Sequence, residues 1–469
     1  MLTLTKPATG DRQLVTSLIT ETDSPGYNFY CENITTPFTI MNTTEQPIEN
    51  RHLVLCFQVH QPRRLKKLTA ADPAIETSWI DEKLDQSIME RVARECYIPA
   101  NKLLLKLIEQ HPQIRIAFSI SGTAIEQMEA YAPEALASFR ALAETGSVDF
   151  LSETYHHSLA FLMDSEEFEI QILEHAEKMV EHFGVRPSVF RNTNLVYNDD
   201  IGRRIAMMGF RGVLTEGNVA SLRTCPHHLY EHRDHNGLKI LMRNQSLSDD
   251  IAFRVALSGW NLTAEKYMSW LEAMPEDEKL VTIAIDYETF GEHHKADTRI
   301  FHFLEHLMLL IAIENSYEMS TPAEVIQYKP TRALSIPDYV AVAGCDLSDW
   351  VGNERQREAL AALIALEAGV KGKNDPALLR LWRCLQASDH FYYMSEKADH
   401  AIHLSPYASS QDAYDQYMTV IHSLQRSIHA GEHAPTDAEK INEAVEAERR
   451  SINAPLWALN IDSRNGYTS

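Results

Sequence analysis

The sequence predicts an α/β barrel of about seven parallel strands, a (β/α)7 barrel, followed by a C-terminal α-helical domain. Two observations carry this expectation. Short apolar runs alternate with longer stretches whose apolar residues recur three and four apart, the β-then-α order of a parallel sheet. Polar clusters stand directly after the apolar runs, where a parallel barrel gathers its functional residues.

Residues 1–49 come first. They are rich in Thr, Asn, Pro and Ser without sustained periodicity, and read as an N-terminal extension, loosely ordered or laid over the surface. Seven buried strands are then expected at 52–59, 114–121, 147–151, 188–191, 212–215, 238–242 and 280–286. Amphipathic stretches such as 123–144 and 166–183 lie between them. This alternation places a closed or nearly closed barrel over residues 50–335. Beyond it the strand signal fades. Residues 354–368, 375–387 and 412–428 are helical in period, so 336–469 is expected to form the helical domain.

Against 43 basic residues stand 66 acidic ones, a formal net charge of −23. Such a field repels nucleic acid and anionic membranes and suits a neutral ligand. The six cysteines are scattered, without a C-x-x-C pair, as free thiols in a reducing compartment are. No apolar run approaches a membrane span, and no basic stretch precedes a hydrophobic core at the start. The chain therefore reads as cytoplasmic. No cofactor or metal is expected, and nothing indicates an oligomeric state.

The first strand runs into Gln58-Val59-His60-Gln61, and the third into Glu153-Thr154-Tyr155-His156-His157. The fourth ends in Arg191-Asn192-Thr193-Asn194, the fifth in Thr215-Glu216-Gly217, and the seventh in Asp286-Tyr287-Glu288 through Glu292-His293-His294. A single His or Glu after a strand is commonly structural. Five clusters at five strand ends form the carboxylate, amide and imidazole inventory that a hydroxyl-rich ligand needs.

The stretches FQVHQPRRL, FSISGTAIEQ, ETYHHSL, FRNTNLVYN, LTEG, LSDDIAFR, DYETFGEHH and STPAEV resemble, in order, the signature regions of glycoside hydrolase family 57. They are most similar to its α-amylase group. The likeness continues through DLSDWVGNERQREAL, LQASDHFYYMSEK and SPYASSQDAY, covering roughly residues 50 to 430. It implies a (β/α)7 barrel with helices closing over an α-glucan cleft. It also implies retaining cleavage by a glutamate nucleophile after the fourth strand and an aspartate acid/base after the seventh. Asp286 falls on the acid/base position. The nucleophile's position holds Asn194. The resemblance further implies His60 as a −1 subsite contact, with Glu153, His157, Arg191, Glu216, Glu288 and His293 binding sugar or orienting Asp286. Trp350 is a candidate for stacking on a glucose face, or plain core.

An amide offers no anionic oxygen to the anomeric carbon, and its presence removes the like-charge repulsion that favours a protonated acid nearby. The expected function is an α-amylase-type hydrolase of starch, glycogen or maltooligosaccharides whose activity is weak or absent. Glu216 or Glu153 moving into the vacant role is one escape. Direct attack by water is another. The first alternative is a non-catalytic α-glucan-binding or regulatory protein. A second is a metal-dependent polysaccharide deacetylase-like hydrolase using His227, His228, His232, His235, His293 or His294. Against it, no His-x-x-x-His pair is combined with an Asp-Asp strand end.

Overall fold

The computed structural model describes residues 45–67, 79–218, 222–255, 262–314, 316–342, 346–397 and 405–429. The extension expected at 1–49 falls almost wholly outside these, as do residues 430–469 of the helical domain.

Among the described residues there are ten strands: β1 (His52–Val59), β2 (Ile116–Ile120), β3 (Val148–Leu151), β4 (Val189–Arg191), β5 (Gly212–Glu216), β6 (Tyr230–His232), β7 (Lys239–Arg243), β8 (Leu280–Asp286), β9 (Glu318–Met319) and β10 (Arg332–Leu334). Seven of them close a parallel ring in the order β1-β2-β3-β4-β5-β7-β8. The β3–β4 joint is made by the Ser152–Phe190 bridge, with Ser152 donating to Val189 O at 2.9 Å and Arg191 to Ser152 O at 2.8 Å.

One seam is thin. β7 and β8 share the single pair Arg243–Thr282 plus the bond from Asn244 N to Thr282 O. Below it the strands splay, and the crossover from β5 fills the wedge. β6 runs antiparallel on β7, and Leu280 N donates to His227 O at 3.1 Å. The short β9 pairs with the start of β1, and β10 with β6.

Successive side chains of a strand alternate between faces, and that period builds the lumen in layers. Cys56, Ala117, Leu151, Val189, Leu214, Leu241 and Ala284 lie in the apolar cluster that fills it. Two residues on, each of the seven strand paths turns polar: Gln58, Ser119, Glu153, Arg191, Glu216, Arg243 and Asp286. The floor of the barrel mouth is therefore one polar layer over a dry core.

Helices cover the outside. The stretch 123–144 is two helices, Gly122–Tyr131 and Pro133–Glu144, because Pro133 lacks a donor and disfavours helical backbone at Ala132. The C-terminal helices include Ser348–Val351, Glu354–Ala365, Pro376–Cys384, Ser388–Tyr392 and Ser410–His429. Asn353 and Gln356 form a capping box at the second of these. Trp350, Trp382 and Tyr417 of this region share one core with Phe168, Phe190 and Tyr197 of the barrel flank. The loops after β3 and β4 are stitched to it by Leu159 N to Gln386 O, Ser388 N to His157 O and the Tyr197–Val340 bridge.

Candidate active site

The polar layer is held by hydrogen bonds that run from strand to strand. Glu153 is fully buried and accepts from Ser119 Oγ at 2.7 Å, Gln58 Nε2 at 3.1 Å and His157 Nδ1 at 2.9 Å. Burial alone would raise its carboxyl. The His157 hydrogen bond and the charges of His157 and Arg191 win, and hold it at about 2. His157 itself is pushed down, first by burial and then by its neighbour His60, against the pull of Glu153. His157 and His60 stack with ring centroids 4.4 Å apart.

His60 bridges the two halves of the mouth. Its Nδ1 meets Ser121 Oγ at 2.7 Å, and its Nε2 meets Asp389 Oδ2 at 3.0 Å. Burial would raise Asp389, but the His60 hydrogen bond and the surrounding imidazoles keep its carboxyl well below the usual range. Asp389 belongs to the helix Ser388–Tyr392, which also delivers Ser388. The Asn194 amide donates from Nδ2 to Ser388 Oγ at 3.0 Å.

Backbone strain collects here. Asn194 and Leu195 have φ of 51° and 54°, and His157 has φ of 51°. Left-handed backbone costs a non-glycine residue about 1 kcal/mol or more, least for Asn. The turn after β4 thus aims residue 194 at the mouth against the preference of its own chain.

Glu216 is buried, accepting from Arg243 Nη1 at 3.0 Å and from Gly217 N at 2.8 Å. Burial raises its carboxyl, and Arg243 partly offsets that. Arg243 also reaches Asp249 at 2.6 Å. Arg191 is buried under the charges of Glu153 and Asp286, and its Nη1 has no partner among the described residues. Asp286 ends β8 in register with Gln58, exposed where the rest of its strand is buried.

Behind Asp286, Glu288 turns into the wall. It accepts from the Tyr97 hydroxyl and from Gln61 Nε2. Burial, with Asp286 beside it, pushes its carboxyl up to about 7 despite the Tyr97 bond. His293 is tied back through its own N–H to Glu288 O at 2.8 Å, and burial lowers its ring. Gly291 turns this loop at φ 114°, where a Cβ would collide with the carbonyl of Glu95.

Of the residues singled out in the sequence, His60, Glu153 and His157 are joined by direct contacts, Asn194 reaches the helix that carries Asp389, Glu216 is tied to Arg243, and Glu288 and His293 form a separate group. Trp350 is the correction. Its ring is 3% exposed and packed in the core against Tyr392, so it has no free face to stack on a sugar. The half-buried Tyr392 lies on the same helix as Asp389 and within the field of Asp286. Gln58, Ser119, Arg243, Ser388, Asp389 and Tyr392 were not candidates from sequence. The period-two step along each strand marks the first three. The other three lie in LQASDHFYYMSEK, a stretch already similar to the family, but nothing in it tells which of its side chains reach the barrel.

The histidines of the metal alternative scatter. His294 donates to Ala252 O, His232 to Asp199 O, and His227 pairs with Glu278. Among the described residues, the clusters with metal-like spacing are Cys225/His227/Glu278 and Glu129/Glu181/His182, and neither includes a residue of the polar layer.

The profile described as Glycosyl hydrolase family 57 matches residues 54–337. A protein of Methanocaldococcus jannaschii named "Putative alpha-amylase" is 35% identical over 393 residues, covering 79% of this chain and 83% of that protein. Among solved structures, a GH57 branching enzyme of Thermococcus kodakaraensis is similar with a TM-score of 0.61 at 12% identity, over 84% of this chain and 94% of its own. A 4-alpha-glucanotransferase of Thermococcus litoralis has a TM-score of 0.60 at 14% identity over 81% of this chain, which spans only 60% of that protein. At these identities the two structures speak for a shared fold. The profile match and the close relative carry the assignment: this chain belongs to glycosyl hydrolase family 57.

Proposed function

We propose that the chain acts on α-glucans as an α-amylase-type member of its family, binding them in the barrel mouth and hydrolysing them at trace rates. The observation that carries this reading is the amide at position 194. Retaining cleavage needs a carboxylate there to attack the anomeric carbon while an acid protonates the leaving oxygen. In this reading Asp286, exposed at the end of β8, is the acid, and Asn194 leaves the nucleophile's role unfilled. Glu153 and Glu216 are poor substitutes. Both are fully buried and already accept from three and two donors respectively.

The remaining roles are binding ones. His60, His157, Arg191, Glu288 and His293, with Asp389 and Tyr392 from the helical cover, line or support the −1 side of the cleft. Arg191 Nη1 and Gln58 Oε1 are buried and unpartnered among the described residues, directly beneath the mouth. The helical region from about residue 336 acts as the cover. The scattered thiols support a cytoplasmic location in this reading; among the described residues no helix is long and apolar enough to cross a membrane.

The Asn194–Ser388 bond favours a second reading, a glucan-binding or regulatory protein without turnover, because it gives the amide a role of its own. Incubation with maltooligosaccharides and starch, scored for reducing ends alongside calorimetric binding, tests both. Binding with trace hydrolysis supports the first reading, and binding with none supports the second. No binding of any α-glucan removes both.

A further inference from the structure

The crossover between β5 and β6 carries a cluster for which the cleft has no use. Cys225 Sγ, a ring nitrogen of His227 and a carboxylate oxygen of Glu278 all lie within 4.8 Å of one another. Glu278 Oε2 and His227 Nδ1 are in direct contact, and the other ring nitrogen, Nε2, meets the Asn244 amide at 2.6 Å. The setting is the thin seam of the barrel. Asn244 follows β7, Glu278 precedes β8, and His227 sits in the wedge with its carbonyl on Leu280 N. One small group of side chains therefore reaches all three segments where the two strands part.

We propose that Cys225, His227 and Glu278 form a zinc site that braces the β7–β8 seam. A thiolate, an imidazole and a carboxylate make the borderline-soft donor set that zinc favours. Tetrahedral zinc holds such atoms roughly 3.3–3.6 Å apart, so on binding the Glu278 oxygen must draw back from the ring nitrogen it now touches, while the group as a whole already lies within 4.8 Å. Water completes the fourth position. Magnesium and calcium, which take all-oxygen shells, do not fit a site whose anchors are sulfur and nitrogen.

The proton inventory balances without a co-reactant. On binding, the Cys225 thiol releases its proton to solvent and the sulfur becomes a ligand. The His227 proton moves from Nδ1, which takes the metal, to Nε2. The Glu278 carboxylate binds as it stands. The protonated Nε2 then needs an acceptor, and the Asn244 oxygen must turn to it. That oxygen now accepts from Leu247 N at 2.9 Å, capping the helix Gln245–Asp249. Metal binding thus competes with a helix cap. An aspartate at 244 would serve both donors, one with each oxygen, and would strengthen the imidazole as a ligand.

The second cluster is a weaker rival. His182 Nδ1 already accepts from Arg140 at 2.6 Å, and Lys178 bridges Glu129 and Glu181, so cations are supplied by the protein itself.

The test uses the full chain, stripped with a chelator and titrated with Zn²⁺, and with Co²⁺ as a spectroscopic probe. We expect one equivalent of zinc bound with a dissociation constant on the order of micromolar or tighter, a melting temperature raised by several degrees, and a sulfur-to-cobalt charge-transfer band. Cys225→Ser should abolish the band and weaken zinc by more than about a hundredfold, and Asn244→Asp should tighten it by about tenfold. Circular dichroism of the stripped variants checks that each is folded, and Glu278→Gln gives a third reading if Cys225→Ser is not. Absence of a charge-transfer band in the unaltered chain, or zinc affinity unchanged by Cys225→Ser and Glu278→Gln, overturns the site.

Discussion

Asn194 Nδ2 donates to Ser388 Oγ at 3.0 Å, tying the turn after the fourth barrel strand to a helix 194 residues further along the chain. A carboxylate in the same place could only accept from that serine. The bond therefore reverses its direction when the amide is exchanged, and in the proposed function the chemistry turns on that exchange.

For Asn194→Glu we expect α-glucan hydrolysis to rise at least about a hundredfold, since losing a nucleophile costs on the order of 10⁴–10⁶ in rate. The left-handed backbone at 194 suits Asn better than Glu, so the variant should also lose about 1 kcal/mol of stability. Reducing-end assays and thermal melts check the two parts. Robust hydrolysis by the unaltered chain would show that another group attacks the sugar.

Asp389→Ala leaves His60 Nε2 without its partner at 3.0 Å and cuts the charged link between barrel and helical cover. Calorimetry with a maltooligosaccharide should show binding weakened about tenfold, the worth of a charged hydrogen bond. Equal affinity in the variant would place Asp389 outside the binding site.

Glu288 sets a pH dependence of stability. Its carboxyl is raised to about 7 in the fold, above its ordinary value near 4.5, so between those two values the folded state holds a proton that the unfolded chain has lost. The stabilisation is complete below about 4.5 and disappears as pH rises through 7, amounting to at most about 3 kcal/mol. Glu288→Gln keeps an oxygen for Tyr97 and never ionises. Melts at pH 5.5 and 8.5 should therefore differ less in the variant than in the parent. An unchanged difference would mean that Glu288 is ionised in the fold at both.

Trp350→Ala should act through the core. With the ring 3% exposed, its removal leaves a cavity costing about 3–5 kcal/mol. Denaturant titration should report that loss, while the variant that remains folded keeps its glucan affinity within about twofold of the parent, as expected for a side chain with no ligand face.

Where the sequence spoke clearly, it did so through burial and period. All seven barrel strands lie within the predicted runs or overlap them to within a residue, and β1 and β8 match at both ends, because a buried parallel strand is a continuous apolar run. β6, β9 and β10 have three residues or fewer, too short to show any period. Arg243 fell one residue past the predicted sixth barrel strand, so a member of the polar layer went unnoticed. Ser388 and Asp389 were hidden for a different reason. They lie in a segment that reads as a helix end, and only tertiary packing brings them to Asn194 and His60. Trp350 shows the converse. A tryptophan's sequence neighbours do not tell whether its ring faces a cleft or a core.

The bond between His60 and Asp389 spans 329 positions, and Leu159 meets Gln386 across more than two hundred. These distances set a timetable for synthesis. A ribosome that has delivered residue 340 has delivered every barrel strand, and the barrel can close behind it. Its mouth cannot. His60 and Asn194 still lack their partners, and Phe168, Phe190 and Tyr197 still face water where the helical region will cover them. Docking of the late helices is thus the closing event of folding, slow because it joins the most distant parts of the chain. Until it occurs, the nascent protein presents an apolar flank that invites chaperones or aggregation. A nonsense mutation near residue 340 would leave the barrel permanently in that state.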